Sequence, residues 1–214
     1  SARQAPGQRV GTQTVPSTIS AVTSSGRLKV PLPVTMLTSV ASVTPAAAAG
    51  IIAALPPFVA TVGVFVNESV RRILEIVARC RLDRVQLHGD EGPEECTELG
   101  PLAIKAVRVK NALSLRGLGR YRVGAFLLDS HVPGALGGTG EVFAWELAAG
   151  AAPGGRPVIL SGGLTPENVA RAIETASPYA VDVSSGVERE PGRKDRPLVE
   201  EFIRRAKGAP GGGR

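Results

Sequence analysis

From Thr44 onward, short runs rich in β-branched and apolar residues alternate with segments whose apolar residues recur at helical spacing. Thr44-Pro45 reads as an N-cap with a first-turn proline, opening a helix to about Leu55. The pattern then predicts a strand over Ala60–Val66, a helix near Val70–Cys80 and a strand over Arg84–His88. It continues with a helix near Pro93–Leu99, a strand over Leu102–Val107 and a weaker helix around Ala112–Gly119. Ala125–Asp129 is the next strand, followed by a Gly-rich loop and a brief helix near Ala144–Ala149. Pro157–Ser161 is strand-like, and Thr165-Pro166 opens a helix running to about Ala176. Tyr179–Ser184 is the last strand, and a helix near Leu198–Ala206 closes the pattern.

Each of these six strands is followed by a helix or helical turn at the spacing of parallel βαβ units. The periodicity allows an open doubly wound sheet. It also allows a (β/α)8 barrel, provided that two more strands upstream of Thr44 close it. Val10–Val15 and Leu28–Val34 are rough strand candidates, although Pro31 and Pro33 argue against central pairing. A barrel without two well-formed strands would expose sheet edges and half-fill its interior, which predicts low stability.

The chain of 214 residues is long enough for one large domain, and aromatics make up only 4% of it, so Val, Leu, Ile and Ala must fill the core. Cys80 and Cys96 fall in helical stretches without metal-ligand spacing, which points to buried or helix-face thiols. No window approaches 18 continuous apolar residues, so no transmembrane helix and no membrane partner are expected. Residues 1–44 hold Arg3, Arg9, Arg27 and Lys29 and no acid. Ser, Thr and Pro interrupt any secretory h-region there; a transit-peptide-like leader stays open, and a cytoplasmic location is the expectation. The net charge of +6 is thus mostly N-terminal, and a clustered basic face with stacking aromatics is not evident, so no nucleic-acid partner is expected.

Four motifs carry candidate chemistry. Ser161-Gly162-Gly163-Leu164 follows an apolar strand and precedes a helix, where glycines let backbone amides approach an anion; a simple tight turn is the competing reading. Asp182-Val183-Ser184-Ser185-Gly186-Val187 repeats that arrangement on the next strand, and two such loops match the phosphate site that barrels build after strands seven and eight. Phe126-Leu127-Leu128-Asp129 ends a strand on a carboxylate, suited to a general acid at a barrel mouth or, more plainly, to anchoring a loop. Gln86 and His88 flank Leu87 and share one strand face, as ligands or as a satisfied core pair. The loop His131–Glu141, with four glycines, is either a lid or a connector.

In this order the motifs resemble the phosphoribosylanthranilate isomerase family, over about residues 43–207. Val85-Gln86-Leu87-His88-Gly89, Ile104-Lys105-Ala106, Leu127-Leu128-Asp129, Leu160-Ser161-Gly162-Gly163-Leu164-Thr165-Pro166-Glu167-Asn168-Val169 and Val181-Asp182-Val183-Ser184-Ser185-Gly186-Val187-Glu188 carry the likeness. It implies a single (β/α)8 barrel, monomeric or homodimeric, and an Amadori rearrangement of N-(5-phosphoribosyl)anthranilate in tryptophan biosynthesis, with neither metal nor cofactor. It further implies Asp129 as general acid, Gln86, His88 and Asp182 along the sugar and anthranilate end, and Gly162, Gly163, Ser184, Ser185 and Gly186 around the phosphate.

The family's general base is a cysteine in a Lys-Ile-Cys-Gly run on the first strand, and its second strand leads into a loop with a substrate-binding arginine. Residues 1–42 carry neither, and the first cysteine of the chain is Cys80. The segment is therefore atypical, standing where strand 1, helix 1 and strand 2 belong, and its preserved length suits a frame-shifted reading that ends near Val43. A catalytically impaired phosphosugar- or anthranilate-binding barrel is the alternative to the isomerase. A strand-end lysine of the kind used by indole-glycerol-phosphate synthase is matched only by Lys105. Residues 208–214 read as a flexible tail.

Overall fold

The computed structural model describes residues 18–23, 34–37, 43–129, 143–149, 151 and 153–209. Eight strands close into a barrel: β1 (Thr18–Thr23), β2 (Val34–Leu37), β3 (Val59–Phe65), β4 (Arg84–Leu87), β5 (Ala103–Arg108), β6 (Ala125–Asp129), β7 (Val158–Ser161) and β8 (Ala180–Val183). Helices α1 (Pro45–Ala53), α2 (Val70–Cys80), α3 (Pro93–Leu99), α4 (Phe143–Ala148), α5 (Val169–Ala176) and α6 (Arg196–Gly208) follow in order. From β3 to β8 each neighbouring pair is parallel, as the βαβ spacing requires.

The class is the (β/α)8 barrel, with one departure. Around the barrel the order is β8, β2, β1, β3, and β1 runs antiparallel to both its neighbours. Only residues 24–33 separate β1 from β2, too few for the crossover that parallel neighbours need. Strand β1 begins at Thr18, beyond the candidate run Val10–Val15, and β2 begins at Val34, the last residue of the candidate run Leu28–Val34; Val10–Val15 and residues 28–33 lie outside the described residues. The sheet closes on itself, so the exposed edges expected of it are not present.

Side chains alternate across the sheet. Phe65, Val85, Leu87, Phe126, Leu128, Leu160 and Val181 point outward and pack under Ile73 and Ile76 of α2, Ile173 of α5 and Phe202 of α6. Each such side chain, fully buried, stabilises the fold by about 1.5–3 kcal/mol. Val62, Ile104, Ala106, Leu127, Ile159 and Ala180 point inward and form a separate inner cluster. A cavity of about 590 Å³ lies in the barrel, lined by Val62, Ile104, Leu127 and Ile159 of the inner cluster and bordered by Arg84, Pro157 and Tyr179 toward the N-terminal end of the strands. Both cysteines are free and buried outside the barrel, as their helical placement suggested.

Some boundaries differ for identifiable reasons. Extended Arg116 and Gly117, left-handed at φ 76°, split the expected Ala112–Gly119 helix into two 3₁₀ turns. Thr165-Pro166 opens a turn instead of a helix; Asn168 accepts from the Thr165 amide, and α5 begins at Val169. A hairpin of β9 (Glu188–Glu190) and β10 (Arg193–Lys194), turning on Pro191-Gly192, was not legible as strands. The tail starts later than position 208, because α6 runs through Gly208 and Ala209 is buried.

Candidate active site

Asp129, Ser161 and Asp182 end or nearly end three adjacent parallel strands. Asp129 is the register partner of Ser161, and the Leu160–Val181 pairing puts Asp182 beside Ser161. All three continue the inward-facing rows of Leu127, Ile159 and Ala180. Gly162 and Gly163 follow directly on β7, and Ser184, Ser185 and Gly186 directly on β8. The carboxylate of Asp129 and both glycine–serine turns therefore occupy one rim of the barrel.

His88, one residue past β4, reaches across the same rim. Its Nε2 lies 3.6 Å from Asp129 Oδ2, with the two side chains 25% and 19% exposed. The Gln86 amide nitrogen lies 2.8 Å from His88 Nδ1. That amide only donates, so Nδ1 accepts and the ring proton sits on Nε2, facing Asp129. Gln86 itself is buried and also borders the internal cavity.

Asp182 is 3% exposed and accepts a 2.8 Å hydrogen bond from Ser161 Oγ. Burial drives its pKa upward against the pull of the Ser161 hydrogen bond and of nearby His88 and Lys194, and Asp129 adds to the rise, leaving it at about 6 against an ordinary 3.8. It is mainly ionised at pH 7, and its Oδ1 has no hydrogen-bond partner among the described residues.

The two turns are built to sit close together. Gly162 and Gly163 have φ of 90° and 62°, a region costly for residues with a Cβ. A methyl group on Gly186 would overlap the Leu164 carbonyl oxygen, so glycine there lets the β8 turn press against the β7 turn. Asn168 donates to the Gly163 carbonyl at 2.9 Å. Lys194, from the β9–β10 hairpin, donates to the Ser184 carbonyl at 2.9 Å and pairs with Glu188 at 2.6 Å. Ser161 and Asn168 stood within quoted motifs without a role of their own, and Lys194 was given none either. Strand parity would have found Ser161; the other two brace loops through contacts no periodicity encodes. The loop His131–Glu141 lies outside the described residues.

Lys105 does not reach this rim's interior. It faces outward from β5, buried, with Nζ 2.7 Å from Glu91 Oε2 and 2.7 Å from the Gly89 carbonyl. Glu91 also accepts from the amides of Asn67 at 2.8 Å and Gly89 at 3.0 Å, so the pair ties the turns after β3 and β4 and sets the loop that follows His88. Burial would raise the Glu91 pKa, but the Lys105 hydrogen bond and charge and the Asn67 amide outweigh it and hold it below 4.5. This ion pair therefore stabilises the fold above about pH 4.5 and loses its effect as pH falls through the depressed value. Lys105→Met leaves a buried carboxylate unpaired and is expected to cost about 3–5 kcal/mol at pH 7. Urea melts would read that deficit, and it should shrink toward pH 4 as Glu91 takes up a proton. A variant as stable as the parent at pH 7 would show that the pair anchors nothing.

The sequence model of the N-(5'-phosphoribosyl)anthranilate isomerase family matches residues 10–205. The chain belongs to this family. It is 59% identical over 166 residues to the N-(5'-phosphoribosyl)anthranilate isomerase of Geobacter sulfurreducens, covering 78% of this chain and 81% of that protein. Against the enzyme of the same name from Moorella thermoacetica it is 58% identical over 163 residues, covering 76% and 73%. Among solved structures, the phosphoribosyl anthranilate isomerase of Thermotoga maritima superposes with a TM-score of 0.70 at 43% identity, covering 78% of this chain and 82% of that one. A phosphoribosyl anthranilate isomerase solved with reduced 1-(o-carboxyphenylamino)-1-deoxyribulose 5-phosphate superposes with a TM-score of 0.67 at 41% identity, covering 78% and 81%. Among the described residues no helix is long and apolar enough to cross a membrane.

Proposed function

We propose that this chain isomerises N-(5'-phosphoribosyl)anthranilate to 1-(2-carboxyphenylamino)-1-deoxyribulose 5-phosphate, the reaction of its family in tryptophan biosynthesis. The observation that carries the reading is the shared rim: a half-buried carboxylate at Asp129 in register with the strand that leads into two adjoining glycine–serine turns. The substrate's phosphate would sit on the Gly162-Gly163 and Ser184-Ser185-Gly186 turns, with the ribose over Asp129 and His88. Asp129 gives its proton to the ring oxygen; the C1–oxygen bond breaks, and the anilino nitrogen lone pair forms the Schiff base. Loss of the C2 proton gives the enolamine, which tautomerises to the ketone. Hydrogens move within one molecule, so the balance calls for no external oxidant or reductant. Gln86 and His88 orient Asp129, and Asp182 lines the sugar end.

The step that removes the C2 proton lacks the family's cysteine. Neither thiol of this chain substitutes: Cys80 and Cys96 are packed between helices and sheet, and burial pushes the Cys96 thiol up to about 11. Binding is therefore expected to be retained, and turnover to fall below the family's. Calorimetry with reduced 1-(2-carboxyphenylamino)-1-deoxyribulose 5-phosphate tests the site, and loss of anthranilate-conjugate fluorescence tests the reaction. No binding of that ligand would sink the isomerase reading. Binding without any turnover favours the second reading, a phosphosugar-binding barrel, which the missing cysteine motivates.

A further inference from the structure

We propose that the cavity in the N-terminal half of the barrel binds a neutral, largely apolar aromatic molecule carrying one hydrogen-bond donor. Barrels of this class fill their interior with layers of branched side chains. Here Ala60, Ala125 and Ala180 border the cavity and contribute little to filling it, and its volume is about 590 Å³. That size falls within the range of sites for drug-sized ligands. Val62, Ile104, Leu127 and Ile159 supply the walls, so a ring system that enters gains by leaving water. The cavity is distinct from the catalytic rim. Leu127 and Ile159 line it, whereas Asp129 and Ser161 lie two residues on, about 7 Å further along the same strands. It exists whatever reaction the rim performs.

Two observations fix the polarity of the ligand. The charges at the mouth are taken up by the fold itself. Asp83 accepts from the Thr61 amide at 2.6 Å and from its hydroxyl at 2.9 Å, and Arg84 donates to the Asp83 carbonyl at 2.7 Å. A charged ligand would enter the apolar interior unpaired, at a high cost. Deeper in, Gln86 is 3% exposed and borders the cavity. Its amide nitrogen is turned to His88, 2.8 Å away, and its Oε1 has no hydrogen bond among the described residues. A buried acceptor without a donor is destabilising, and a single N–H or O–H on the ligand meets it.

The test is a fluorescence titration with N-phenyl-1-naphthylamine, a neutral aromatic amine with one N–H that brightens on leaving water. The parent should bind it in a single saturable step, and a saturating amount of the reduced carboxyphenylamino product analogue should not displace it. Ala60→Leu or Ala125→Leu takes the room of about three ligand carbons and should weaken the probe by about 10- to 100-fold in a barrel still folded by circular dichroism. The N-methyl derivative of the probe lacks the donor and should bind the parent about 2- to 12-fold more weakly. Gln86→Leu should remove that difference. Displacement by the product analogue, unchanged affinity in whichever alanine variant folds, or a donor preference that survives Gln86→Leu would each overturn the assignment. So would no binding by the parent, or an affinity that falls as chain concentration rises, since a second copy then covers the mouth.

Discussion

Asp129→Asn is expected to lower kcat by about 10²- to 10⁴-fold, the usual contribution of one general acid. The substitution keeps shape and hydrogen-bonding capacity but removes the proton that the ring oxygen needs. It is a demanding test because the surroundings are fixed by other groups: β6 is buried through Phe126, Leu127 and Leu128, and His88 is held by Gln86. The reduced product analogue should consequently bind within a few-fold of the parent. Turnover read by fluorescence and affinity read by calorimetry separate the possible roles. If affinity falls as far as the rate, Asp129 holds the ligand and something else supplies the proton.

The second large effect concerns the other proton. Replacing residues 1–42 with the corresponding segment of a relative that carries the Lys-Ile-Cys-Gly run should raise kcat by about 10²- to 10⁴-fold. The same graft replaces an antiparallel β1 with strands of the family pattern, so it changes packing as well as chemistry. A second graft in which that cysteine is serine distinguishes the two. It should share any gain in urea stability but not the gain in rate. Equal rates for the two grafts would mean that the parent lacks a sound barrel, not a base. A parent as fast as its relatives would mean that it lacks neither.

Much of the rim was legible beforehand because strand ends leave local marks. An apolar run stopping at Asp129, and glycine–serine clusters after two successive strands, are features of neighbouring residues. Gln86 and His88 were readable as a pair since strand side chains alternate with period two. What escaped was pairwise and distant. Ser161 matters through Asp182, 21 positions away, and Lys194 through the Ser184 carbonyl. Lys105 sits in a strand that looked eligible for catalysis, yet its parity turns it outward onto Glu91, so it supports the site from behind. The Ala112–Gly119 segment carried helical spacing, and an extended Arg116 followed by a left-handed Gly117 broke it.

The sequence alone settled the alternation of six strands with helices from Val59 onward, a core filled by Val, Leu, Ile and Ala, and the residues that end β6 and β7. Those follow from periodicity and from what each residue type can bury. Only the tertiary structure decided that β1 lies antiparallel between β2 and β3, that both thiols are sealed outside the barrel, and that Asp129, Ser161 and Asp182 stand in one register. Such facts depend on how strands far apart in the chain are brought edge to edge, and local pattern carries no term for that pairing.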